Sequence, residues 1–264
     1  MTGFTTTLGA GRWRDHLPVL AAISVIIALS WLYLVRMNAA MPHGAGGMAR
    51  MMMPATAPGL AEQFIAAFIM WSVMMMAMML PTALPAVTVF GNLSRRRAPH
   101  SRPALSTGMF AGGYLAVWIG YSVVAATGQM ALSHAALLTP MLKNTSQALS
   151  VAILLAAGVF QFTALKEMCV TQCRTPFAFF LAEWRDGKSG ALVLGLKHGS
   201  YCVGCCWALM AVMFVVGAMN TLWMAALTLL MLMEKVAPAR WRVSQVTGGM
   251  LLLSGVALAS LFVL

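Results

Sequence analysis

Residues 64–89 read FIAAFIMWSVMMMAMMLPTALPAVTV, a run from Phe64 to Val89 without one charged side chain. A helix that crosses the hydrocarbon core of a bilayer needs roughly 20 mostly apolar residues, and this run is long enough. The composition of the whole chain points the same way: 61% of its 264 residues are apolar and 9% are charged. So little polar surface cannot cover a water-soluble globule, which leaves lipid as the solvent for most of the protein.

Six further runs share this character: Leu17–Val35, Ser106–Ala126, Gln147–Leu165, Ala191–Val216, Leu222–Met233 and Thr247–Leu264. The sixth segment, Leu222–Met233, is short and extends back toward Met219 to gain length. The expectation is an all-α, polytopic transmembrane helical bundle of about seven spans, forming a single integral membrane domain over 1–264. Leu17–Val35 is long for a signal-peptide core, and no small-x-small site follows closely, so it reads as a retained first span.

The connections alternate in charge. Segments 1–16, 91–105, 166–190 and 234–246 hold Arg12, Arg14, Arg95, Arg96, Arg97, Arg102, Lys166, Arg174, Arg185, Lys188, Lys235, Arg240 and Arg242, whereas the others hold only Arg36, Arg50 and Lys143. Lys197 remains inside the fifth span. An excess of Lys and Arg marks cytoplasmic loops, which puts the N-terminus in and the C-terminus out. The net charge of +11 is thus explained by membrane orientation, and nucleic acid is not an expected partner. Pro81 and Pro85 should kink or end the second span. Pro176–Trp184, apolar rings among charges, suits a short helix in the inner interface.

Sulfur is distributed unevenly. Of the 24 methionines, Met37, Met41, Met48, Met51, Met52 and Met53 lie in an outer loop over 36–61, and Met70, Met74, Met75, Met76, Met78 and Met79 lie in the second span. Met70, Met74 and Met78 recur every four residues and so share a face, with Met75 alongside. Thioethers fill irregular gaps in apolar helices, but they are also soft, uncharged donors suited to copper(I).

The fifth span contains His198-Gly-Ser-Tyr-Cys202-Val-Gly-Cys205-Cys206-Trp207. His198, Cys202 and Cys205 or Cys206 follow one helical face, and imidazole and thiolate are the usual ligands of soft and borderline metals. One helix cannot surround an ion, so other segments must contribute. Cys169 and Cys173, spaced i, i+4 at the end of the fourth span, are candidates, with Lys166 and Arg174 placed to favour their thiolates. Depth argues against one site containing all five cysteines, because Cys202 sits roughly 15 Å inside its span at 1.5 Å per residue. The odd cysteine count, within or beside spans, excludes a disulfide framework. Glu234 is expected to pair with Lys235, Lys166 or Lys197.

These motifs together, Met-Met-Leu-Pro81, Cys169-x-x-x-Cys173-Arg174-x-Pro176, Gly199-Ser-Tyr-Cys202-Val-Gly-Cys205-Cys206-Trp207 and Met233-Glu234-Lys235, resemble those of the bacterial family of predicted metal-binding integral membrane proteins over about residues 60–240. The resemblance implies a multi-pass protein of the bacterial inner (plasma) membrane with a role in copper handling. The combination of outer methionines, a Met-x-x-x-Met span and inner thiols is also similar in chemistry, though not in fold, to the eukaryotic high-affinity copper transporters.

The functional expectation is therefore a copper(I) carrier, relay or metallochaperone rather than an enzyme. Its metal ligands would be His198, Cys202, Cys205, Cys206, Cys169, Cys173, Met70, Met74, Met75 and Met78, with another soft or borderline metal as the alternative cargo. Its partners would be the lipid bilayer, the metal ion and a periplasmic metallochaperone or cuproenzyme. A membrane thiol–disulfide oxidoreductase using paired cysteines and a quinone is the alternative; a subunit with a buried redox cofactor ranks last. No Walker motif supports ATP-driven transport. A direct handover from the methionine face to the cysteines requires the second and fifth spans to be neighbours.

Overall fold

A computed structural model describes residues 17–40, 59–97, 103–139 and 142–263. The loop methionines Met41, Met48, Met51, Met52 and Met53, together with His43, lie outside the described residues. The elements are α1 (Leu17–Ala40), α2 (Leu60–Arg97), α3 (Pro103–His134), α4 (Gln147–Phe160), α5 (Ala164–Arg174), α6 (Pro176–Glu183), α7 (Gly187–Ala211), α8 (Met213–Val216), α9 (Thr221–Val236), a 3₁₀ turn (Ala239–Trp241) and α10 (Val243–Val263). Among the described residues the only β feature is an isolated bridge between Leu138 and Asn144.

Five of these helical stretches are long and apolar enough to cross a membrane, and the bent pair α4–α5 makes a sixth if it counts as one span. The sixth predicted segment, Leu222–Met233, is the one outside this set and corresponds to α9, a helix of 16 residues. It begins at Thr221, where the Asn220 side chain accepts from the N–H groups of Leu222 and Trp223 at 3.1 and 3.3 Å, satisfying donors that a helix start leaves open.

Two expectations change. The fourth segment is not one straight helix: α4 and α5 meet at 65°, and Thr163 caps the new helix by accepting from the Lys166 N–H at 3.3 Å. The second segment does not end at its prolines, since α2 runs through Pro81 and Pro85 for 38 residues. Pro81 has no N–H to give to the carbonyl of Ala77, four residues back. Trp31 of α1 supplies the missing donor, its indole N–H reaching the Ala77 carbonyl at 3.0 Å. Trp31→Phe keeps the ring but strands that carbonyl, and we expect a loss of about 1–3 kcal/mol, read as a lowered Tm of the purified protein.

α3 and α7 cross closely because both carry glycine at the contact. A Cβ on Gly195 would strike the Phe110 carbonyl, and one on Gly113 the Leu192 carbonyl. Around this crossing the core is aromatic: Phe90 stacks on Phe110 with centroids 4.7 Å apart, and Phe180 of α6 meets both edge-on. The short helix α6 is therefore docked into the core through Phe179 and Phe180, while Phe177 and Leu181 remain exposed. At its end, Arg97 lies 4.9 Å over the Trp184 ring. Lys197, a charge within an apolar run, pairs with Glu183, and the hydrogen bond from Lys197 holds that carboxyl below the usual carboxylate range.

Candidate metal centre

α7 delivers Cys202, Cys205 and Cys206 to the middle of the bundle, where each is 1% exposed or less. Cys202 is the hub. Its Sγ lies 3.1 Å from Tyr114 Oη of α3 and accepts from Lys235 Nζ of α9 at 2.9 Å. The same ammonium donates to Thr82 Oγ1 of α2 at 2.7 Å, and Thr82 donates onward to the Met79 carbonyl at 2.9 Å. Helices α3 and α9 thus meet α7 at one sulfur, and α2 joins them through Lys235 and Tyr114. Cys205 Sγ is 3.3 Å from Cys206 Sγ and 3.2 Å from the Cys202 carbonyl.

The bend between α4 and α5 decides where the other two thiols go. It lays α5 along α7, with the Cys173 thiol of α5 buried, 7% exposed. Cys169 packs on the Gly204 side of α7, where a Cβ would come within 2.8 Å of its Sγ. Cys205 and Cys206 are the thiols in direct contact, with Cys202 one turn before them on α7 and Cys169 beside them at Gly204.

The charges flanking α5 are arranged differently from the expectation that they activate its cysteines. Lys166 is fully buried and donates to Glu234 Oε2 and to the Cys205 carbonyl, both at 2.7 Å. Arg174 donates to the Glu234 backbone carbonyl at 3.2 and 3.0 Å. Of the three partners expected for Glu234, Lys166 is the one that pairs with it, and Lys235 turns to the thiols.

His198 lies one turn from Cys202 among the rings of Phe110, Tyr114, Phe179 and Phe180, with centroids 5.5–6.2 Å away. Its Nδ1 is buried without a hydrogen-bond partner. Met70, Met74, Met75 and Met78 are all buried, between 8% and 0% exposed. They lead along α2 to Met79, whose carbonyl accepts from Tyr114 Oη at 3.2 Å. The methionine face and the cysteines are therefore connected through Tyr114 and Lys235. The main neighbours of α2 are α1, α3 and α9, and α7 packs chiefly on α3 and α5.

Among the described residues, no three His, Cys, Asp or Glu side chains are gathered as a ready cage for an ion. The sulfur contacts are pairwise. Lys235, Tyr114 and Thr82 were not singled out as site residues from the sequence, although a lysine in so apolar a region was a signal. Two surface recesses, one lined by Glu167, Arg174, Arg242 and Ser244 and one by Gln172, Phe179 and Tyr201, have no cysteine in their walls. Comparisons with curated proteins and with solved structures find no match. The family described as PpoB2, copper chaperone, matches residues 68–258. That range contains all five cysteines, His198 and the methionine face of α2, and the chain belongs to this copper chaperone family.

Proposed function

We propose that this chain is a multi-pass protein of the bacterial plasma membrane that binds copper(I) within the bilayer and passes it to a periplasmic metallochaperone or cuproenzyme. The topology of this reading is seven spans with the N-terminus in, α9 being one of them. Support comes from the five long apolar helices and the bent pair, and from outward-facing residues such as Val25, Leu29, Val124, Leu229 and Leu253 that suit lipid. The basic loops set the orientation.

The observation that carries the copper reading is the buried thiol pair of Cys205 and Cys206, 3.3 Å from Sγ to Sγ, on the same helix as Cys202. Thiolates select copper(I), and that ion is satisfied by two of them, so pairwise sulfur contacts are enough. The buried thioethers of Met70, Met74, Met75 and Met78 form a weaker, neutral approach to the stronger thiolates. His198, with a free buried Nδ1, flanks the centre as a further ligand, and Cys169 is a reserve thiol. Thiol–disulfide exchange with a quinone is the less favoured reading, because every cysteine is 7% exposed or less and a protein disulfide could not reach it.

The test is copper content of the purified, reduced protein in detergent, titrated against a copper(I) chelator. Wild type should retain copper, and Cys202→Ser/Cys205→Ser/Cys206→Ser should fall to background with its elution profile unchanged. A wild type that holds no copper above background, or a triple variant that binds as wild type does, defeats the proposal.

A further inference from the structure

One buried charge has no carboxylate partner. Among the described residues, Lys166 pairs with Glu234, Arg174 lies near Glu167 and Lys197 pairs with Glu183. Lys235 is 7% exposed, and its ammonium contacts only Thr82 Oγ1 and Cys202 Sγ in the hydrogen bonds above. The groups that face it are Tyr114, Thr82 and the thiols. An isolated ammonium is strongly disfavoured inside a low-dielectric bundle unless a matching negative charge stands beside it.

We propose that Lys235 sets the charge of the ion this centre accepts, a step that rests on the copper reading above. Two thiolates around a monovalent ion carry a net charge of minus one, which the Lys235 ammonium neutralises. Two thiolates around a divalent ion carry none, and the ammonium is left uncompensated. A divalent ion reaches minus one only with three thiolates, and among the described residues no such three-ligand group is assembled. Lys235 is thus a specificity-determining residue that favours copper(I) and silver(I) over zinc(II). Lys166 cannot take this role, because Glu234 already cancels it at 2.7 Å.

The experiment compares silver(I), copper(I) and zinc(II) affinities of the full-length protein in detergent, by chelator competition, for wild type, Lys235→Met and Lys235→Arg. Lys235→Met should weaken silver(I) and copper(I) by about 30-fold or more, as loss of a buried charge partner does, and should narrow the gap to zinc(II). Lys235→Arg, which keeps the charge, should restore most of the preference. Copper bound by wild type with the same silver-to-zinc ratio in Lys235→Met overturns this inference alone, whereas a wild type that binds neither copper nor silver overturns the copper reading beneath it. If Lys235→Met does not fold, X-ray absorption at copper in the wild type decides: two sulfur neighbours support the charge count, and three overturn it.

Discussion

Glu234→Ala should cost the fold about 3–5 kcal/mol, the usual penalty for removing one member of a buried ion pair. The substitution leaves Lys166, 0% exposed, as an uncompensated ammonium whose one remaining partner is the Cys205 carbonyl. Net stabilities of about 5–15 kcal/mol make such a loss visible as a collapse of yield and of Tm. The bonds from Arg174 reach the backbone of Glu234 and not its side chain, so they survive the change and do not confuse the reading. The double variant Lys166→Met/Glu234→Leu should recover most of the lost stability, because apolar replacement of both ions removes the desolvation cost along with the attraction. A single variant as stable as wild type would mean that the pair contributes nothing to holding α5 on α9.

Gly195→Val should be nearly as damaging, at about 3 kcal/mol, because the added atoms meet backbone and backbone cannot rotate away. The glycines of this protein give an internal scale for the effect. At Gly199 a Cβ would lie 3.0 Å from Val117 Cβ and 3.2 Å from the Tyr114 carbonyl, far less close than the Phe110 carbonyl would be to a Cβ on Gly195, and at Gly112 nothing lies within 4 Å. Thermal unfolding of the three alanine variants should rank Gly195→Ala as the least stable, Gly199→Ala as intermediate and Gly112→Ala as equal to wild type or better by up to about 1 kcal/mol of helix propensity. A Gly195→Ala protein as stable as Gly112→Ala would show that α3 and α7 do not need to approach so closely.

Hydropathy made most of the helices legible because each is a long apolar run bounded by charge or proline. It failed where a local rule was overruled by a tertiary contact. Pro81 is a helix breaker on its own, but the carbonyl it orphans is taken by Trp31 from another helix, a partner that no window of sequence around Pro81 can reveal. The 65° bend after Phe160 was missed for the opposite reason: two polar residues, Gln161 and Thr163, interrupt the apolar run too briefly to end it in a hydropathy window, and the Thr163 cap marks the break.

The thiols of the candidate centre were visible because cysteine and histidine stand out in an apolar helix. Their surroundings were not. The Glu234–Lys235 dipeptide invites pairing between neighbours, yet successive residues on a helix do not face one another, and that rule alone sends the two charges to different partners. Tyr114 carried no signal, since a lone tyrosine in an apolar helix is ordinary.

The complete burial of Cys202, Cys205 and Cys206 has a kinetic meaning. These sulfurs have almost no exposed surface in the described packing, and neither surface recess has them in its walls. On the proposed reading, the tempo of loading and release is the tempo at which the bundle breathes. Cargo would be handed over in response to motion of the helices, by a partner that promotes that motion, rather than lost by diffusion. On that reading, thiols buried to this degree keep bound copper away from water and from oxidants during its stay.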